Sequence, residues 1–215
     1  MTTAAGRRFA ALAFGPAAHV YEALTGSEPW RASCRRMSGL VPGPLVLDLG
    51  VGPGESSLEA LRATPGRRGI GLDLSAVMVR RAAARAARAG VGLPVLRADA
   101  QRLPVRTGSL DGITGHSVLY LLGDPVAALA EAARGLRPGG RAAFLEPAMG
   151  HPGWLAAAAE GPRLAASMAM WRVMSGLHRR FDAAALTALL SSAGLREVHV
   201  EPALSGFAWL ASGTR

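Results

Sequence analysis

The 215-residue sequence predicts an α/β fold, a mostly parallel sheet covered by helices on both faces, and three observations carry that prediction. From about Pro44 onward, short strand-like apolar runs alternate with helical segments, as they do when parallel strands are joined by helical crossovers. The first run, LVLDLG, ends in a turn with glycine at alternate positions, Gly50, Gly52 and Gly54. Polar residues then recur at or just after the ends of successive runs: Asp48, Asp73, Asp99, His116 and Glu146. In sheets of this class ligands bind beyond the carboxyl ends of the strands, so five such residues in register form one candidate site.

Each element has its own local reason. LVLDLG reads as a buried strand and ESSLEALRA as the helix after the glycine turn. GIGLDL is a second strand, followed by SAVMVRRAAARAARAG, where Ser75 is the expected N-cap and Gly90 the stop. VLRADA, LDGITGHSV and RAAFLEP are further strands, and the helix over about Pro125–Leu136 is expected to end at the turn signal RPGG. Two segments fall outside the alternation. Residues 1–43 hold helical stretches around Ala10–Leu24 and Trp30–Leu40 and form a helical N-terminal cover. Residues 44–215 form the main domain, with an insertion or lid at about 147–181 carrying Trp154, Met168, Met170, Trp171 and Met174; either segment could cover the strand ends, and core packing at helical spacing is the favoured account of the Met and Trp residues.

Composition narrows the classes. The length suits one domain with a full core. No apolar run nears the roughly 18 residues of a spanning helix. Arg7 and Arg8 before FAALAF mimic a secretion signal, but the run closes at Gly15-Pro16 with no clear cleavage site after it, so a cytoplasmic location is expected. The single Cys34 excludes an internal disulfide framework and a multi-cysteine metal site, and no metal is expected. The net charge is +9 and all 24 basic residues are arginine, scattered rather than clustered, so a solvated basic surface is favoured over a nucleic-acid footprint.

The glycine turn and Asp73 together point to an adenosine-containing cofactor, because the glycines admit a ligand to the backbone and the acid follows at the distance of a ribose-binding carboxylate. The spacing G-x-G-x-G differs from the G-x-G-x-x-G of dinucleotide folds, and G-x-x-x-x-G-K-[ST] is missing. Taken with RADAQRLP, LDGITGHSVLYLL and RGLRPGGRAAFLEP, the series over residues 44–146 resembles the class I S-adenosylmethionine-dependent methyltransferases. That resemblance implies a Rossmann-like, seven-stranded, mostly parallel sheet. It also implies S-adenosyl-L-methionine as cofactor, with S-adenosyl-L-homocysteine as product. By position, Asp48 would orient the turn and the cofactor's amino group, and Gly50, Val51, Gly52 and Gly54 would form the turn itself. Asp73 would take the ribose hydroxyls, Leu74 and Met78 would pack on adenine, and Asp99 with the Ala100 amide would read its edge. Gly115 and His116 would border the transferred methyl, and Tyr21 in the N-terminal lead-in would join the cofactor site.

Outside those motifs, HVYEALTGSEPWRASCRRM, FLEP and the tail from RRFDAAALTALLSSAGLREVHV onward are similar to the ubiquinone/menaquinone C-methyltransferases. The implied reaction is methyl transfer to a small lipophilic or aromatic acceptor, a quinone precursor or secondary metabolite. Phospholipid head-group N-methylation and a non-catalytic cofactor-binding role are the alternatives. A lipophilic acceptor would bring peripheral contact with a membrane. Where an acidic acceptor must lose a proton, His116 is the candidate base, with Glu146 facing the same cleft, and His19, Tyr21, His151 and His178 in the cover segments are weaker candidates. The amino-group DNA methylases carry an N-P-P-Y-like motif where this chain has GHSVLY. Cytosine C5 methylases need a cysteine after that strand, and arsenite methyltransferases need several. The acceptor atom and the oligomeric state stay open.

Overall fold

The computed structural model describes residues 26–150 and 152–215. His19, Tyr21, His151, the helical stretch Ala10–Leu24 and the charged-then-apolar N-terminus therefore lie outside the described residues. Seven strands form one sheet: β1 (Leu45–Leu49), β2 (Arg68–Asp73), β3 (Val95–Arg97), β4 (Leu110–His116), β5 (Leu136–Pro147), β6 (Arg196–Ala203) and β7 (Ala208–Thr214). Their order is β3-β2-β1-β4-β5-β7-β6, with the first five parallel and β7 antiparallel to both β5 and β6. The expected mostly parallel α/β sheet of seven strands is the fold observed. The order reverses direction between β1 and β4, and there the strand ends open a crevice.

The seven helices of the described residues are α1 (Glu28–Gly39), α2 (Glu55–Ala63), α3 (Ala76–Arg88), α4 (Pro125–Gly135), α5 (Trp154–Ala159), α6 (Pro162–Gly176) and α7 (Ala183–Ser192). Sequence signals explain their ends. The Ser75 hydroxyl accepts from the Met78 amide at 3.4 Å, and Gly90 follows α3 at φ +64°. Asp124 and Asp182 cap α4 and α7 through the Ala127 and Ala185 amides. The core is continuous across the sheet, with Leu47, Leu49, Ile113, Phe144, Leu145 and Leu129 sealed from solvent.

Two expectations change. VLRADA is extended only through Arg97, and Asp99 sits in the turn beyond it, where its carbonyl accepts from the Arg102 amide. RPGG does not separate α4 from the next strand. Strand β5 already begins at Leu136, and its pairing with β4 jumps from Leu110↔Leu136 to Gly112↔Arg141, so these residues form a bulge inside the strand. In the 147–181 insertion, α6 turns Leu164, Met168 and Trp171 into the core at helical spacing, as core packing requires. The two ends of this excursion are pinned together, the Met149 amide on the Phe181 carbonyl and the Phe181 amide on Pro147.

Helix α1 is the part of the N-terminal cover that the structure describes, and charge fastens it beside the glycine turn. Arg31 pairs with Glu55 at 2.8 Å and Arg35 with Glu59 at 2.6 Å, joining α1 to α2 across two matched i, i+4 sets. Arg67 binds the carbonyls of Ser38 and Val41 at its other end. Among the described residues no helix is long and apolar enough to cross a membrane.

Candidate active site

A cavity of about 520 Å³ opens at the carboxyl ends of β1, β2 and β4. Its floor is the glycine turn. Gly50 and Gly52 both hold positive φ, and a Cβ on Gly50 would stand 2.5 Å from Val118 Cγ2, whereas one on Gly52 would meet nothing nearer than 3.9 Å. The turn is held by the Val51 amide on the Leu72 carbonyl (2.9 Å) and by the Gly52 amide on Asp73 Oδ2 (3.0 Å).

Asp73 ends β2 at the lip of the cavity. Its Oδ1 accepts from the Ser75 amide at 2.8 Å and the Leu74 amide is a further backbone partner, so three amides face a carboxylate that offers about four acceptor positions. Burial raises this carboxyl above the usual range, and its backbone amide partners oppose that. Asp99 Oδ1 accepts from the Gln101 amide at 2.9 Å, and Asp99 Oδ2 has no partner among the described residues. Leu74, exposed, and Met78, buried, line the wall between these acids, together with Ala100.

At the other end stand Trp30, His116, Ser117, Val118, Tyr120, Leu121 and Leu122. The His116 ring lies 4.7 Å from that of Trp30, whose opposite contact is an edge-on Trp171 at 5.4 Å. His116 Nε2 is 3.2 Å from Ser33 Oγ and Nδ1 is 3.3 Å from Ser117 Oγ. Burial lowers this imidazole to about 4, so it is neutral near pH 7.

Two acids from the strand ends face away from the cavity. Asp48 is buried behind the turn, where it accepts from Ser57 Oγ at 2.6 Å and Thr114 Oγ1 at 3.1 Å; it ties α2 to β4 and lies behind the cavity lining. Its carboxyl is pushed up to about 6, by burial first. Glu146 is sealed from solvent. Its Oε1 accepts from the amides of Val118 (3.0 Å) and Leu119 (2.8 Å), and Oε2 accepts from Tyr120 (3.1 Å). Burial pushes it up to about 8 against those three donors. Glu146 thus anchors the wall from Val118 to Leu121 and does not reach the cleft. Gly54 and Gly115 also stand behind the lining, Gly54 as the N-cap of α2 and Gly115 packed against Phe144 and Val118.

Of the expected residues that the structure describes, Gly50, Val51, Gly52, Asp73, Leu74, Met78, Asp99, Ala100 and His116 meet on this one cavity. The residues that sequence reasoning passed over are Trp30, Ser33, Ser117 and the Val118–Leu122 wall. His178 stands outside the lining, edge-on to Tyr120 at 6.0 Å. Cys34 is sealed and its thiol is raised by burial, which removes it as a nucleophile.

Residues 46–140 match the family model described as a methyltransferase domain. The chain is 37% identical over 141 residues to a nocamycin O-methyltransferase of Saccharothrix syringae, covering 63% of this chain and 50% of that protein. It is 32% identical over 117 residues to a ubiquinone/menaquinone biosynthesis C-methyltransferase of Bdellovibrio bacteriovorus, covering 54% of this chain and 50% of that one. It therefore spans about half the length of these curated relatives. Among solved structures, a SAM-dependent methyltransferase from Aquifex aeolicus superposes with a TM-score of 0.65 at 18% identity over 89% of this chain and 92% of that one, a likeness of fold. The motif series, the sheet order and these relatives agree: residues 46–140 match a methyltransferase domain, and the chain is similar to the class I S-adenosylmethionine-dependent methyltransferases.

Proposed function

We propose that this protein transfers a methyl group from S-adenosylmethionine to a small, largely apolar acceptor. The observation that carries the reading is the division of the cavity into two ends. One end has glycine backbone and the carboxylates of Asp73, Asp99 and Glu55, the last paired with Arg31; the other has Trp30, Tyr120, Val118, Leu121 and Leu122 around a neutral imidazole. The volume suits a nucleoside with an amino-acid tail together with a modest acceptor. The open space at Gly52 lets the backbone meet that tail. Asp73 keeps acceptor capacity beyond its backbone amides for the ribose hydroxyls, and Asp99 keeps Oδ2 for an exocyclic amino group.

When bound, the cofactor supplies an electrophilic methyl group on a sulfonium. The chain's own contribution is then positioning: the Val118–Leu122 wall and Trp30 hold the acceptor in line and exclude water. An apolar, aromatic acceptor fits those side chains best, and the ubiquinone/menaquinone biosynthesis enzyme among the relatives supports that reading.

Calorimetry with S-adenosylmethionine tests the first half, and absence of binding at millimolar cofactor refutes it. Mass-spectrometric detection of methylated product across quinone precursors, phenolic metabolites and lipid head groups tests the second. Methylation confined to lipid head groups overturns the apolar acceptor, and cofactor binding with no product from any panel member overturns catalysis.

A further inference from the structure

Ser33 was not among the expected site residues, yet its contacts bear on which nitrogen of His116 carries the proton. It sits in α1, buried, with Oγ 2.6 Å from the Trp30 carbonyl oxygen and 3.2 Å from His116 Nε2. A carbonyl only accepts, so the one hydroxyl proton of Ser33 goes to Trp30. The same Oγ can then only accept from the ring, which requires a proton on Nε2. A neutral imidazole protonated at Nε2 has a bare Nδ1, to which the hydroxyl beside it, Ser117 Oγ at 3.3 Å, can donate; the ring's own backbone carbonyl is the competing acceptor, which the Ser33 contact must outweigh. Ser117 is held there on a left-handed backbone, φ +63°, by its amide bond to the Leu145 carbonyl at 2.8 Å.

We propose that Ser33 is a positioning residue that locks His116 in the Nε2–H tautomer, leaving Nδ1 as the single basic atom at the acceptor end of the cavity. Both His116 and Ser117 line that end, and the Nδ1 bond to Ser117 is long enough to be exchanged for a better donor. Resting on the methyltransferase reading above, an acceptor hydroxyl or enol would take the place of the Ser117 hydroxyl. As its oxygen forms the new bond to the methyl carbon, the carbon–sulfur bond breaks with its electron pair kept by sulfur, and the acceptor proton passes to Nδ1. The resulting imidazolium is stabilised by donating at Nε2 to Ser33 and returns its proton to water after release. Helix α1 would thereby set the direction of proton transfer as well as cover the site.

The test is long-range proton–nitrogen NMR on protein labelled at histidine nitrogen, with the His116 signals assigned by their loss in His116→Gln. The expected wild-type result is a protonated Nε2 and a bare Nδ1. A protonated Nδ1, or an even mixture, overturns the proposal without touching the methyltransferase reading, since no substrate is present. Ser33→Ala should mix or reverse the tautomers and Ser33→Thr, which keeps the hydroxyl, should restore them. If the alanine variant does not fold, the wild-type and threonine spectra alone decide. With a hydroxyl acceptor, kcat should fall about tenfold or more in Ser33→Ala, with cofactor affinity unchanged by calorimetry. An unchanged kcat together with a shifted tautomer overturns the proton-transfer role alone.

Discussion

Glu146 and Asp48 are both buried carboxylates at strand ends, and their partners predict opposite responses to the same amide substitution. The three donors on Glu146 are backbone N–H groups, which cannot become acceptors. In Glu146→Gln the carbonyl oxygen can keep Val118 and Leu119, but the amide nitrogen then faces the Tyr120 N–H across 3.1 Å. Flipping the amide orphans two donors in place of one. Leaving a buried donor unsatisfied costs about 1–3 kcal/mol, which for a chain of this size lowers Tm by about 2–4 °C per kcal/mol. On Asp48 the donors are the hydroxyls of Ser57 and Thr114. A hydroxyl can turn and accept, so Asp48→Asn should cost less than about 1 kcal/mol.

The pH dependence adds a second check. Glu146 is raised from 4.5 to about 8, so the folded protein holds a proton that the unfolded chain gives up. Its contribution is complete below pH 4.5 and is lost as pH rises toward 8. The penalty of Glu146→Gln should therefore be largest near pH 5 and shrink by pH 8, read by urea unfolding at both. Equal costs for Glu146→Gln and Asp48→Asn, or a glutamine penalty that grows with pH, would refute this account of the wall.

The glycine turn separates packing from binding. Gly50→Ala should combine about 1–2 kcal/mol of left-handed strain with about 1–3 kcal/mol of overpacking against Val118. Gly52→Ala should pay only the strain yet lose more cofactor affinity, as melts and calorimetry would show. Replacing Asp73 by Ala should raise the Kd for S-adenosylmethionine at least tenfold, from charged hydrogen bonds worth about 1.5–3 kcal/mol each; unchanged affinity would remove its ribose role. His116 is lowered from 6.5 to about 4, so its contribution is complete above pH 6.5 and is lost as pH falls toward 4. His116→Gln should flatten the acid side of the stability curve, and an unchanged slope there would contradict the buried neutral ring.

The residues legible in the sequence are those that a strand end delivers without help from elsewhere in the chain. The glycine spacing, Asp73, Asp99 and His116 needed only the alternation of runs and the rule for ligand placement. Trp30 and Ser33 were hidden because a helix 20 residues upstream of the turn carries them, and nothing local says where that helix docks. A signal did exist. Arg31 and Arg35 repeat the i, i+4 spacing of Glu55 and Glu59, and these four side chains clamp the two helices together. The Val118–Leu122 wall was hidden differently: the run LDGITGHSV carries no stop signal, and Glu146, 28 residues away from Val118, gathers the amides of the tight turn that follows it.

The acids at the strand ends also show why position along a strand is not yet a function. In the register of β1, β2 and β4, Asp48 pairs with both Gly71 and Thr114, so it shares a row and a face with Thr114. Asp73 lies two residues beyond Gly71 on that same face, one row nearer the cavity. That single row separates a carboxylate sealed beneath Ser57 from one that keeps acceptor capacity at the lip. Glu146 follows Leu145, the partner of His116, and so falls on the opposite parity from Thr114 and Ala143. It meets the backbone of the next turn instead of the cleft. Sequence alone places all of these acids at an end; the register between strands separates Asp73, at the lip of the cavity, from Asp48 and Glu146, which hold its walls.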